Sequence, residues 1–349
     1  MGEKFKFDVV IGNPPYQEEQ EGDNKNYAPP IYHKFLDESY KIGHIVEMIH
    51  PARFLFNAGA TPSEWNDKML TDKHLKVMYY EQNSNRVFSN TDIKGGIVVT
   101  YHDTTNIFEA IKIFTPFEEL NSILKKVLDK NKIFKSFSTI ISGRTIYHFH
   151  SFIHEEHPNV AARLSKGHDN DIMSNAFEKL EDIFTENEPQ DGGEYVQIYG
   201  LYQKKRVYRY VKEAYIDGPV SFKQWKVFVP EANGSGAIGE VLSTPLIGAP
   251  LIGATDTFLS IGGFESKFEA EACLKYIKTK FARIMLGVLK ATQHNPAPKW
   301  KYVPLQDFTS SSDIDWSKSI PEIDRQLYTK YKLSQGEIDF IESHVKEMN

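Results

Sequence analysis

The stretch Phe7-Asp8-Val9-Val10-Ile11-Gly12, running into Asn13-Pro14-Pro15-Tyr16, constrains this chain more than any other. Phe7 to Ile11 is short, β-branched and apolar on both faces, the pattern of a buried parallel strand. Gly12 frees the backbone, and the two prolines then fix φ and remove two N–H donors, so the chain leaves the strand end by one rigid path. In open α/β sheets ligands sit at such strand ends.

The residue types at this turn suit alkylation of an exocyclic amino group. Such an amine is a poor nucleophile because its lone pair is conjugated into the ring. The Asn13 side-chain oxygen and the Pro14 carbonyl are placed to accept both N–H protons, which localises the lone pair toward an incoming methyl group without a strong base. Tyr16 offers a face for a planar base, a contact worth ~1–3 kcal/mol in nucleic-acid proteins. Asn-Pro-Pro-Tyr after a strand resembles the catalytic motif of the adenine-specific (amino-methylating) DNA methyltransferases of type II restriction-modification systems. The resemblance implies S-adenosylmethionine as methyl donor, an adenine flipped out of double-stranded DNA, and Asn13, Pro14, Pro15 and Tyr16 as catalytic residues. Glutamine methyltransferases acting on release factors, and some RNA methyltransferases, look similar at this motif.

Only twelve residues precede Asn13. Relatives with this motif order carry a Gly-rich donor-binding loop and three strands upstream, so the resemblance implies that the donor-binding first half is absent and leaves cofactor-binding residues unassigned. A polypeptide carrying that half, or a restriction subunit, is the expected protein partner. Without it the strand opening the chain is expected to present an unpaired edge with Phe7, Val9 and Ile11.

Downstream, Gly22 to Pro30 reads as a mobile loop and Ile31 to Ile42 as a helix. His44 to Pro51 reads as the next parallel strand, and Ala52 to Phe56 and Ser63 to Leu70 as helix. Strands at Leu75–Tyr80 and Gly96–Tyr101 give an antiparallel ending. These features predict an α/β fold: the second half of a Rossmann-like methyltransferase sheet, followed by a mixed α+β target-recognition domain and a C-terminal helical hairpin. The expected boundaries are 1–115, 116–310 and 311–349. Phe88, in the turn between the last two strands, is the candidate for stacking on the other face of the base; a loop phenylalanine packed on the sheet edge is the alternative. Thr104 to Lys135 reads as an amphipathic linker helix.

Forty-one Lys and Arg against 47 Asp and Glu leave a net charge of −6, so any nucleic-acid surface must be local. One cysteine, Cys273, excludes intramolecular disulfides and Cys-based zinc sites and fits a reducing cytoplasm. No apolar run reaches membrane-spanning length, so no membrane partner is expected. His148, His150, His154 and His157 suit no single helical face, and His154-Glu155-Glu156-His157 is one residue short of zinc-protease spacing, so no metal is expected.

Tyr199 to Phe228 interleaves Lys204, Lys205, Arg206, Arg209, Lys212, Lys223 and Lys226 with aromatic residues, a combination that suits DNA; strands with a lysine-solvated outer face are the alternative. Gly234-Ser235-Gly236-Ala237-Ile238-Gly239 matches a dinucleotide-loop pattern, but Pro245 interrupts the stretch where the helix should open, and a loop approaching a phosphate backbone is expected instead. Ser266 to Glu269 opens a helix expected to reach about Leu289, with Lys275, Arg283 and Lys290 on a face that tracks phosphates. Thr279 through Phe308 resembles the target-recognition region of the same methylase group. Ser319–Glu322 and Ser334–Glu337 are capping boxes that start the terminal helices. The expected activity is therefore adenine-specific DNA methylation, inactive without the missing half. A non-catalytic DNA-specificity module and a protein glutamine methyltransferase are the alternatives, although the latter needs no large domain after the motif.

Overall fold

The computed structural model describes residues 6–18, 28–57, 60–93, 95–130, 134–234, 238–290 and 293–348. It is a mixed α/β protein with several small sheets, and it divides into two units, Met1–Asn121 and Ser122–Asn349.

In the first unit β1 (Phe7–Gly12), α1 (Tyr32–Ile42), β2 (Gly43–Pro51), α2 (Ser63–Thr71), β3 (Leu75–Glu81) and β4 (Ile97–Asp103) follow in order. The sheet order is β1-β2-β4-β3, with β1 parallel to β2 and the other pairs antiparallel. Period-2 alternation sends Val46, Met48 and His50 of β2 and Val98 of β4 to one face. There they meet Leu36 of α1, Trp65 and Met69 of α2, and Phe54 of the 3-10 turn Arg53–Phe56. α1 buries Tyr32, Leu36 and Ser39, a helical i, i+4, i+7 stripe.

Two expectations for this unit need correction. β1 is parallel but not buried: its one sheet neighbour among the described residues is β2, and Phe7, Val9 and Ile11 are 53%, 49% and 76% exposed. Only Val10 packs toward the core. The helix expected over Thr104–Lys135 is confined to α3 (Glu118–Lys130), within which the division between units falls. Asp103 keeps the first of these residues out of helix, because its carboxylate accepts the N–H groups of Thr105 and Asn106 and so closes a polar turn that competes with helix.

In the second unit a small pair, β5 (His148–Phe149) with β8 (Ile216–Asp217), accompanies the short helices α4 (Phe152–Glu156), α5 (Val160–Arg163) and α6 (Ala176–Lys179). The larger elements are β6 (Tyr195–Tyr202) and β7 (Lys205–Lys212), an antiparallel hairpin to which β11 (Ile252–Ala254) adds in parallel. A second sheet places β9 (Trp225–Pro230) between β10 (Leu246–Gly248) and β12 (Phe258–Phe264). The duplicated Pro-Leu-Ile-Gly-Ala pentapeptide thus supplies one strand to each sheet. Tyr147, Phe177, Ile198, Val211, Phe228 and Phe258 fill the core between these elements.

The helix expected from Ser266 to Leu289 is two helices, α7 (Lys267–Lys278) and α8 (Lys280–Gly287). Thr279 is extended at the junction (φ −59°, ψ 150°), and its hydroxyl accepts the Ala282 N–H as the N-cap of α8. Asp324 of α9 (Ile320–Lys330) accepts the next two free donors, the N–H groups of Lys280 and Phe281, at 3.0 and 2.9 Å. Capping boxes at Ser319/Glu322 and Ser334/Glu337 open α9 and α10 (Gln335–His344). Contacts place these terminal helices within the second unit.

Candidate active site and basic surface

Strand directions gather one edge of the first unit's sheet into a candidate site. Gly12 stands opposite Met48, while Pro51 and Glu81 both stand opposite Ile97, so the ends of β1, β2 and β3 and the start of β4 share that edge. Asn13–Tyr16, the 3-10 turn Arg53–Phe56 and the β3–β4 loop carrying Phe88 all emerge there. Phe88 is half-buried and its N–H donates to the Ser84 carbonyl. Three strand spacings, ~14 Å, separate its loop from the β1 end along the sheet.

Gly12 lets the turn pack closely on Met48, since a Cβ there would lie 3.0 Å from the Met48 sulfur. Asn13 and Pro15 are exposed, and Pro14 and Tyr16 half-buried. The ring of Tyr16 packs against the apolar cluster holding Tyr32, Phe54 and Trp65. Its hydroxyl is enclosed with no partner among the described residues, and burial pushes its pKa up to about 12. The exit from the turn is fastened to the start of α1: the Tyr16 carbonyl accepts the Ile31 N–H at 3.1 Å, Gln17 bridges Pro30, and Lys34 pairs with Glu18 at 2.9 Å. The loop expected from Gly22 lies, as far as Tyr27, outside the described residues.

The basic residues divide. Lys204, Lys205 and Arg206 are exposed at the tip of the β6–β7 hairpin, where Gln203 and Lys204 take the positive φ values of a tight two-residue turn. Arg206 donates to the Thr244 carbonyl and lies over the Phe258 ring at 5.6 Å. Acids stand beside this tip: Glu178 accepts the Gln203 N–H and Glu181 the Tyr202 hydroxyl. Lys223 is exposed but elsewhere, on a turn whose Phe222 carbonyl accepts the Leu251 N–H. That point is level with Gln197, five residues or ~17 Å from the tip.

Four expected phosphate contacts are corrected by their surroundings. Arg209 is largely covered, stacked on Tyr202 at 4.8 Å and paired with Glu186 at 3.4 Å. Lys275 donates to the carbonyls of Trp316 and Lys318 at 2.8 and 2.9 Å. Arg283 and Lys290 are 2% and 3% exposed. Arg283 donates to the carbonyls of Lys278, Gly239 and Lys346, and Lys290 to the Asn233 carbonyl and the Glu240 carboxylate. α8 is itself enclosed, with Phe281 through Leu286 all buried, so it leaves no outward face for Arg283. Together Arg283 and Lys290 hold both ends of the glycine segment, whose residues 235–237 lie outside the described residues.

Lys226 also serves the interior. It is fully buried on β9 and donates to the carbonyls of Ser221, Phe222, Gln224 and Ala249 at 2.9–3.2 Å, while burial pushes its pKa down to about 7. The signal was legible: a lone cation inside Trp225-Lys226-Val227-Phe228-Val229 alternates with nothing polar. The histidines have separate partners. His148 meets Asp171, His154 meets Asn170, His157 meets the Tyr215 hydroxyl, and His150 accepts the Phe152 N–H. No described helix is long and apolar enough to cross a membrane.

The exposed Asn-Pro-Pro-Tyr turn at the end of a parallel strand is the feature that comparison with known proteins addresses. Residues 1–88 match the family of the Eco57I restriction-modification methylase. That methylase-like segment takes in the Asn13–Tyr16 turn, the 3-10 turn Arg53–Phe56 and Phe88, and ends before β4. A protein of Mycoplasma pneumoniae described as an uncharacterized adenine-specific methylase is 34% identical over 95 residues, which are 27% of this chain and 22% of that protein. Among solved structures, the type IIG restriction endonuclease BpuSI is matched over 97% of this chain and 53% of its own (TM-score 0.35, 10% identity). The type IIL restriction-modification enzyme MmeI, solved with DNA, is matched over 96% and 56% (TM-score 0.39, 9% identity). This chain thus spans about half the length of those structures.

Proposed function

We propose that the Asn13–Tyr16 turn is the target-base site of an adenine-specific DNA methyltransferase of a restriction-modification system. The observation that carries this reading is the turn itself: an exposed side-chain amide and a backbone carbonyl, held on two prolines at the end of a parallel strand, inside the segment that matches the methylase family. Asn13 Oδ1 and the Pro14 carbonyl accept the two amino hydrogens of a flipped adenine. That pair of bonds orients the amine and draws its lone pair out of conjugation. Tyr16 supplies a stacking face, and Phe88 closes the opposite face when its loop reaches across the sheet edge. The exposed Lys204, Lys205, Arg206 and Lys223 of the second unit contact DNA phosphates.

S-adenosylmethionine is the donor in this reading, and it supplies the methyl group. The described residues of the first unit assign no group to the donor, and no step is derived through it. A polypeptide bearing the donor-binding half docks, in this reading, along β1, whose outer edge has no neighbour among the described residues and whose apolar Phe7, Val9 and Ile11 stand exposed. Transfer of labelled methyl to adenine in DNA, by this chain with such a polypeptide, tests the proposal. Sequence-selective DNA binding with no transfer under any reconstitution would instead make the chain a specificity module.

A further inference from the structure

His50 lies in the core of the first unit, fully buried at the end of β2. Its Nδ1 is 3.1 Å from the Pro51 carbonyl, which only accepts, so Nδ1 carries the proton and Nε2 accepts from the Thr100 hydroxyl at 2.9 Å. Both ring nitrogens are therefore spent, and the ring plane is fixed between β2 and β4. Burial pushes its pKa down to about 4, which keeps the ring neutral through the neutral range.

The fixed ring has a consequence at the candidate site. Tyr32 lies flat on it, with centroids 5.3 Å apart and planes 20° apart. Trp65 meets the edge of Tyr32 at 6.0 Å, and Phe54 lies 5.6 Å from both Trp65 and His50. Tyr32 is the first residue of α1, and the preceding residue, Ile31, donates its N–H to the Tyr16 carbonyl. The Tyr16 ring rests on the same aromatic cluster. A rigid path thus runs from the central strands, through one imidazole and one phenol ring, to the backbone bond that fastens the exit of the Asn-Pro-Pro-Tyr turn. α1 has no side-chain cap at its N-terminus, and beside this path the Gln17–Pro30 bridge and the Lys34–Glu18 pair also fasten the point among the described residues.

We propose that His50 is a positioning residue for the Asn13–Tyr16 turn, fixing through its stack on Tyr32 the helix start to which Tyr16 is bound. The assignment rests on the proposed function for its catalytic meaning, whereas its geometry is testable on the chain alone. Site-resolved hydrogen exchange on the full chain reads the Ile31 amide against amides of β4. His50→Ala should speed exchange at Ile31 by at least about tenfold relative to β4, a local opening rather than a global one. His50→Phe, which keeps a ring under Tyr32, should recover most of that protection. Leu36→Ala, which removes an equally buried side chain from α1 in the same core, is the control for general loosening.

Selective loss at Ile31 in His50→Ala but not in Leu36→Ala supports the assignment. Unchanged Ile31 exchange, or the same pattern in Leu36→Ala, overturns it. If His50→Ala does not fold, His50→Gln, which has no flat ring for Tyr32, takes its place with the same two outcomes. Exchange needs neither donor nor DNA, so a failure of methyl transfer would count against the proposed function and leave this result standing.

Discussion

At the residue scale, function depends on what each polar group is free to do. Asn13 is exposed beside a rigid double proline, and its proposed bonds strengthen as the adenine amine gives up its lone pair. Asn13→Ala should therefore lower methyl transfer by at least ~100-fold while DNA affinity stays within a few-fold. Equal losses in binding and turnover, measured by single-turnover transfer and by titration, would remove that role. The cations make a complementary case. Replacing Lys204 or Lys205 should reduce the log–log salt slope of DNA binding by about 0.9 each, and an unchanged slope would leave them as solvated surface lysines. Arg283→Met should act on stability instead, because it strips buried carbonyls of their donor at a cost of ~1–3 kcal/mol, seen as a lower Tm. Residue type alone does not separate these groups. Lys204 and Lys290 look alike in the sequence, and only the carbonyls and acids gathered around each show which charge faces water.

At the element scale the chain was most legible where a short pattern settles a whole unit of structure. β1, α1, β2, β3 and β4 follow from short apolar runs and helical spacing, and the last two helices follow from their capping boxes. Apolar spacing misled where backbone and side chain compete for the same donors. Asp103 holds the first residues of one expected helix in a turn, and Thr279 splits another into two by capping the second. Two buried groups now predict opposite pH responses in the two units. His50, held below its ordinary value at about 4, takes up a proton first in the unfolded chain, so the first unit should lose stability as pH falls from 6.5 toward 4, by on the order of 3 kcal/mol. Asp324 is pushed up to about 6 by burial and keeps its proton longer in the folded chain. Its contribution is therefore present at low pH and is lost as pH rises through 6. Hydrogen exchange followed from pH 4 to 7 should show protection rising with pH in β2 and β4 and falling at the α8–α9 junction. His50→Phe should flatten the first trend and Asp324→Asn the second. Parallel trends in both units would contradict these assignments.

At the scale of the whole molecule, the first unit carries a candidate site that its sequence announces. The second carries a surface that has to be read from the fold. Asn13–Tyr16 was legible because two prolines and a glycine leave little conformational choice. The basic stretch was not, because Glu178, Glu181 and Glu186 come to the hairpin from distant positions and temper the charge that seven lysines and arginines suggested. Among the described residues the outer edge of β1 has no neighbour, and such an edge beside the candidate site invites a strand from another chain. Size-exclusion measurements should show self-association of the free chain that Ile11→Lys, which places a charge on that edge, suppresses. A monomer insensitive to the substitution would argue that the edge is covered some other way. The most direct test of the central claim is transfer of a labelled methyl group from S-adenosylmethionine to DNA by this chain mixed with a polypeptide carrying a donor-binding half. Label on the amino nitrogen of adenine, dependent on both polypeptides and lost in Asn13→Ala, is the predicted result; undiminished transfer by Asn13→Ala would contradict it.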